Sequence, residues 1–247
     1  MSKYVNSRLR ALATYLDFPE LWRFRRTGVQ IELFRALRVR WLQALGIKHV
    51  LDVGANEGQF AVTAAAAFPD AEIHSFEPLE KPLARLRRLS AANPRIRVHP
   101  MALGAFSGQL EFEENEYSPA SSALPLAAAH KQMFPHAVKT AKRTVPVSTL
   151  DEQSRPFWSG DAGPLMVKID TQGYEGEVIA GGGECLKRTA VVICECSFER
   201  MYENQPLFEE VAARLASLGL RYRGELSGGS EKAQKKPAFA DCIFARE

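Results

Sequence analysis

Residues 50–60, VLDVGANEGQF, constrain the fold of this chain more than any other stretch. Val50, Leu51 and Val53 suit a strand buried on both faces of a parallel sheet. Gly54 and Gly58 permit backbone conformations and a close ligand approach that a β-carbon would obstruct. Gln59 to Phe68 then reads as a helix of small residues able to lie close on a sheet. A strand that turns through glycines into a helix opens a βαβ unit, and in such units ligands are met at the turn.

The turn is not the dinucleotide fingerprint, because the second and third glycines of that pattern are missing after Gly54. Asp52, just ahead of it, would repel a pyrophosphate and suits instead a cationic ligand with amine donors, while Asn56 can hydrogen-bond within the turn. S-adenosylmethionine (SAM), with its sulfonium and α-amino group, is such a ligand; an ordinary strand-to-helix turn is the alternative.

The rest of the chain continues the alternation. Ala71 to Phe76 reads as a strand with Glu77 at its carboxyl end, where an acid can accept hydrogen bonds from both ribose hydroxyls or simply begin the helix of Leu79 to Ala92. Arg95 to His99 is a third strand, and Pro100 to Leu103 offers apolar side chains to an adenine. Ala102 to Phe106 and Gln109 to Glu114 read as a hairpin about Gly108. Residues 117–142, rich in Ser, Pro and Ala, are expected to form a partly helical, lid-like insertion. Thr144 to Val147 is a short strand, followed by a helix start capped by Ser148 or Thr149. Pro164 to Asp170 and Ala190 to Cys196 are buried strands ending at Asp170 and Glu195. Leu207 to Leu218 is a helix closed by Gly219. Leu220 to Glu225 and Asp241 to Ala245 pair as a final hairpin. This order predicts a Rossmann-like α/β fold: a mostly parallel seven-stranded sheet, helices on both faces and a C-terminal antiparallel hairpin.

Residues 1–46 are expected to form a helical extension ahead of the 47–247 domain, with Ile31, Phe34, Leu37, Trp41 and Leu45 on one stripe. Arginines from Arg8 to Arg40 crowd this part; a solvated face is the default reading, with an acidic partner, a membrane surface or a substrate phosphate as alternatives. The net charge of +3 is too small to argue for nucleic acid. No apolar run reaches membrane-spanning length and the first residues lack a secretory signal, so a cytoplasmic protein without a transmembrane segment is expected. Cys185, Cys194, Cys196 and Cys242 show no disulfide framework and read as small core residues.

Asp52, Glu77, Asp170 and Glu195 all fall at strand carboxyl ends in this reading. There the chain resembles the FkbM family of class I SAM-dependent methyltransferases, through VLDVGANEGQF, HSFEP (His74 to Pro78), VHPMALG, VSTLDE, KIDTQGYEGEVIAGG (Lys168 to Gly182) and ECSFERMYENQPLF (Glu195 to Phe208). The resemblance implies that Asp52, Gly54, Ala55, Asn56 and Gly58 hold the methionine and ribose portion of SAM, with Glu77 on the ribose hydroxyls. Pro78, Met101 and Ala102 would flank the adenine. Asp170 would lie near the methyl group, and Gln172, Tyr174 and Glu175 would border the acceptor. The implied chemistry is O-methylation of a hydroxyl on a small-molecule or oligosaccharide acceptor, a glycan sugar first and a polyketide-type metabolite second. A SAM-binding scaffold without catalysis is the other class.

A weakly nucleophilic hydroxyl gains from a base that takes its proton. Asp170 is the first candidate, with Glu195 and Glu175 behind it; a positioning role for Asp170 is equally open. Asp170 and Glu195 could hold Mg²⁺, but two acids have no diagnostic spacing and no metal is predicted. His130 and His136, within the expected lid, are candidate acceptor contacts.

Overall fold

The computed structural model describes residues 13–24, 27–115, 121–127, 140–158, 163–226 and 238–246. The main sheet contains β1 (His49–Val53), β2 (Glu72–Phe76), β3 (Ile96–His99), β7 (Leu165–Ile169), β8 (Val191–Ser197), β9 (Arg221–Glu225) and β10 (Phe239–Ala245). Their order is β3-β2-β1-β7-β8-β10-β9. Only β10 runs against its neighbours in this sheet. The expected α/β architecture, with its terminal hairpin, is therefore the one observed. Strand order reverses at β1, which lies between β2 and β7, so a crevice opens there at the carboxyl ends.

Side-chain alternation divides the interior in two. Val50, Met166, Val191, Ile193 and Ile243 face one layer, which also contains residues of α1 (Ile31–Leu37), α2 (Arg40–Gln43), α3 (Gln59–Ala67) and α4 (Glu80–Ala92). Leu51, Val53, Val167, Ile169, Cys194 and Phe244 face the other, packed on α5 (Leu150–Ser154), α6 (Glu175–Ala180), α7 (Gly183–Arg188) and α8 (Phe208–Ser217). α3 is buried from Phe60 to Ala67, and its alanines let the helix approach the sheet closely. The N-terminal stripe breaks between α1 and α2: Phe34, Leu37 and Leu42 are buried with the sheet, whereas Trp41 is exposed. All four cysteines are free and buried, as small core residues.

Two expectations are corrected. Residues 102–106 and 109–114 do not pair as a hairpin, because β6 (Thr140–Thr149) lies between β4 (Ala102–Gly104) and β5 (Gly108–Asn115) in a second, three-stranded sheet. That strand begins at Thr140 rather than Thr144, so the segment expected as a lid stops short of residue 142. Within it, residues 121–127 are described and held down: Ser122 pairs with Glu113, and Leu126 with Tyr202. Thr149 caps α5 by accepting a hydrogen bond from the Glu152 backbone amide. Among the described residues no helix is long and apolar enough to cross a membrane.

Candidate active site

The turn after β1 is built on contact rather than on space. Gly54 lies at φ +77°, and a β-carbon there would stand 1.8 Å from the backbone oxygen of Asp170, at the end of β7. The ends of β1 and β7 thus come so close that only glycine fits. Gly58, at φ +85°, starts α3 against Leu86 and Leu89.

A cleft of about 680 Å³, open to solvent, lies over these strand ends. Of the residues expected in the site, Gly54, Asn56, Glu77, Pro78, Ala102, Asp170, Gln172 and Tyr174 line it. Val53, Phe76, Leu79, Leu103, Phe112, Ser121 and Thr171 complete the wall. Phe112 comes from β5, read from the sequence as a strand but with a different partner, and Ser121 from the segment expected as a lid. Asp52, Ala55, Gly58, Met101, Glu175 and Glu195 are not among the lining residues. His130 and His136 lie outside the described residues.

On one side of the cleft stands Glu77, only 6% exposed. Its Oε2 accepts a hydrogen bond from the Asn56 backbone amide at 3.0 Å, and its Oε1 one from the Leu79 amide at 2.9 Å. Burial pushes its pKa up to about 7, against the pull of those two amides. The carboxyl group is fixed in orientation and retains acceptor capacity for a ligand's hydroxyls.

On the other side lies a denser polar cluster. Lys168 Nζ stands 3.1 Å from Asp170 Oδ2 and 3.6 Å from Asp52 Oδ1, and donates to the Gly54 carbonyl at 3.2 Å. This follows from strand register: Asp52 is level with Lys168 on β7 and with Ser75 on β2, and its side chain points into the layer covered by α3. Burial works against the lysine's charge, but Asp170 and Asp52 outweigh it, so its pKa is raised. Asp52 is fully buried, and that burial raises its pKa despite Lys168. The two partners thus respond in opposite senses. Lys168 keeps its charge because two carboxylates face it, whereas among the described residues Asp52 Oδ1 has no hydrogen-bond donor.

Gln172 joins the cluster to the loop after β8. Its Nε2 donates to Asp170 Oδ1 at 2.8 Å and to Glu195 Oε2 at 2.9 Å, and its Oε1 accepts from the Tyr202 hydroxyl at 3.0 Å. Every polar atom of the amide is committed, on a backbone at φ +56° that a non-glycine residue rarely adopts. Ser122 donates to the Gln172 carbonyl, and Gln205 ties the Met201 and Tyr202 amides to the Ser197 hydroxyl. The Tyr-x-x-Gln element of the sequence is therefore a brace for Gln172. Burial, then Asp170, raises the Glu195 pKa well above the ordinary carboxylate range. Glu175 is turned inward, where one oxygen accepts from the Thr171 and Gly173 amides and the Thr171 hydroxyl. It holds the turn that carries Gln172. Only Asp170, with its side chain 30% exposed, presents a carboxylate from this cluster to the cleft.

The model of the methyltransferase FkbM domain matches residues 52–222, from the Asp52 register position through the Tyr202 brace to β9. The 2-O-methyltransferase NoeI of Sinorhizobium fredii is 27% identical over 161 residues, covering 63% of this chain and 66% of that protein. The crystal structure of methyltransferase FkbM from Methylobacillus flagellatus KT superposes with a TM-score of 0.50 at 13% identity, over 85% of this chain and 47% of the other. Fibrillarin of Aeropyrum pernix, crystallised with S-adenosyl-L-methionine, gives a TM-score of 0.46 at 11% identity, over 86% and 76% of the two chains. The present chain thus spans just under two thirds of the NoeI sequence and about half of the Methylobacillus protein. The domain match extends over most of the chain, from the first strand of the site to the last helix and beyond, and the chain belongs to the FkbM methyltransferase family.

Proposed function

We propose that the cleft binds SAM and that the protein transfers its methyl group to a hydroxyl, a sugar hydroxyl first. The observation that carries this reading is the pairing of Glu77, buried and aimed by two backbone amides, with Asp170, braced by Lys168 and Gln172 across the Gly54 turn. The residues present fit the cofactor. Gly54 packs its backbone against the Asp170 carbonyl in the wall of the cleft, Glu77 can accept from a ribose diol, and Pro78, Ala102 and Leu103 offer apolar flanks for an adenine. When bound, SAM supplies an electrophilic methyl group.

The chain's own residues then orient the acceptor and manage its proton. Of the three acids considered as base, Asp170 is the one that reaches the cleft. Lys168 and Gln172 hold its two oxygens in one orientation, so an acceptor hydroxyl bonded to it would give up its proton to a fixed group. In this reading Glu195 acts through Gln172, and Glu175 through the turn it supports. The name of the Sinorhizobium relative, a 2-O-methyltransferase, supports oxygen as the accepting atom.

Thermal melting with SAM or S-adenosylhomocysteine, in the native chain and in Gly54→Arg, tests the cofactor site; no shift in the native chain overturns the reading. Incubation with methyl-labelled SAM and fractionated cell-surface glycans tests the acceptor. Label appearing only in lipophilic metabolites would instead favour a polyketide-type hydroxyl. Asp170→Asn should lower kcat roughly 10²–10⁴-fold with cofactor affinity retained, and turnover within threefold of native removes its role as base.

A further inference from the structure

At the opposite ends of the same strands lies a second group of side chains that the transfer reaction does not use. His49 is the first residue of β1 and Glu72 the first residue of β2, paired in register, and His74 lies two positions further along β2. Alternation sends His49, like Leu51, and His74, like Phe76, toward the layer opposite α3. One donor atom from each of His49, Glu72 and His74 lies within 4.8 Å of the others.

Three observations distinguish this group from a chance surface cluster. First, among the described residues His49 Nδ1 and His74 Nε2 are buried without a hydrogen-bond partner, and His74 as a whole is only 7% exposed. Glu72 Oε2 stands 3.6 Å from the latter nitrogen. A buried imidazole nitrogen with no partner costs free energy unless something occupies its lone pair or takes its proton. Second, His74 Nδ1 stands 3.1 Å from His99 Nε2. If His74 donates through Nδ1, the lone pair on its Nε2 is directed at Glu72. A ligating histidine is ordinarily fixed by such an outer partner. Third, the Phe157 ring packs 4.7 Å from the His49 ring and 4.6 Å from the His74 ring, giving the group an apolar wall.

We infer that His49, Glu72 and His74 form a binding site for one transition-metal ion of the Zn²⁺ class, outside the lining of the methyl-transfer cleft. Two neutral imidazoles and a carboxylate are a donor set that suits Zn²⁺, with a fourth position left for solvent. Donors of a tetrahedral zinc site stand roughly 3.3 Å apart, given metal–donor distances of about 2.0–2.2 Å. His49 and Glu72 are half-exposed and can rotate over the remaining distance. Arg97 competes for the carboxylate, donating to Glu72 Oε1 at 2.8 Å, but leaves Oε2 directed toward His74. The ion would clip the amino ends of β1 and β2 together, beneath the Phe157 ring.

The test uses the full chain without an affinity tag, stripped with a chelator and titrated with Zn²⁺ by calorimetry and with Co²⁺ by visible absorption. One equivalent should bind, with ligand-field bands of low-coordinate Co²⁺ and a rise in melting temperature. His49→Gln and Glu72→Gln, both at half-exposed positions, should each weaken binding at least about tenfold and change the Co²⁺ spectrum. His99→Phe should weaken it about tenfold through loss of the outer partner. The double variant His130→Gln/His136→Gln, which removes the protein's two other imidazoles, should bind as the native chain does. Melting curves of the stripped variants separate lost binding from lost fold. Absence of stoichiometric binding in the native chain overturns the site, as does binding that survives in both His49→Gln and Glu72→Gln or disappears in the His130/His136 variant.

Discussion

Replacing Gly54 by alanine tests whether the cleft is built on backbone contact between β1 and β7. The added β-carbon would stand 1.8 Å from the Asp170 oxygen, so opening that contact to 3.0 Å requires about 1.2 Å of movement between two hydrogen-bonded strand ends. The residue would also have to hold φ +77°, costing about 1–2 kcal/mol for a non-glycine residue. Overpacking adds roughly 1–3 kcal/mol, giving about 2–5 kcal/mol in all. For a domain of this size that is a fall in melting temperature of about 4–20 °C. Gly58→Ala is the internal control. It has the same left-handed cost at φ +85°, but its contacts are the flexible ends of Leu86 and Leu89, so its fall should be smaller. Because the displaced carbonyl belongs to Asp170, a shift of this size also disturbs the ion pair with Lys168, and an ångström of misplacement at a reacting group costs on the order of 100-fold in rate. Melting curves followed by circular dichroism, with turnover measured alongside, make the comparison. A Gly54→Ala protein as stable as Gly58→Ala, or one with native turnover, would refute the reasoning.

Two further substitutions probe the charges on either side. Glu77 has a folded-state pKa raised from 4.5 to about 7, so the folded chain holds its proton more tightly than the unfolded chain, and stability falls as pH rises between those values. The difference is worth up to about 3 kcal/mol. Melting temperatures of native minus Glu77→Gln across pH 5 to 8 should show that slope, while hydroxyl donors from a bound ribose favour the carboxylate, so SAM affinity should rise through about pH 7 in the native chain alone; a flat difference contradicts this. Lys168→Met should destabilise by about 3–5 kcal/mol, since it leaves fully buried Asp52 without its cation. Adding Asp52→Asn should recover part of the loss in denaturant unfolding, and additive losses would show that the pair is not coupled.

The strands that carry the site were legible because parallel strands covered on both faces read as apolar runs, and β1, β2, β7 and β8 lie within one or two residues of where those runs placed them. The second sheet was not, because β6 pairs with β4 and β5 across a long excursion in sequence, and its first residues are exposed and polar. Gly108 therefore read as the tip of a hairpin that does not form. For Asp52 the decisive signal is parity. Val50 and Asp52 share the face covered by α3, so the carboxylate points beneath the turn to Lys168, and the strand reaches the cleft only through Val53 and Gly54. Gln172 shows the limit of such signals. Its place between Asp170 and Glu195 depends on a left-handed backbone and on Tyr202, thirty residues away, held down by Gln205. Spacing along the chain marks the turn and the Tyr-x-x-Gln element separately; only folding reveals that one braces the other. The consequence for the chemistry is that the orientation of Asp170 is set from both ends of the chain's core, by Lys168 on its own strand and by an amide anchored beyond β8. A substitution at Tyr202 or Gln205 therefore acts on the same carboxylate as one in the cleft itself.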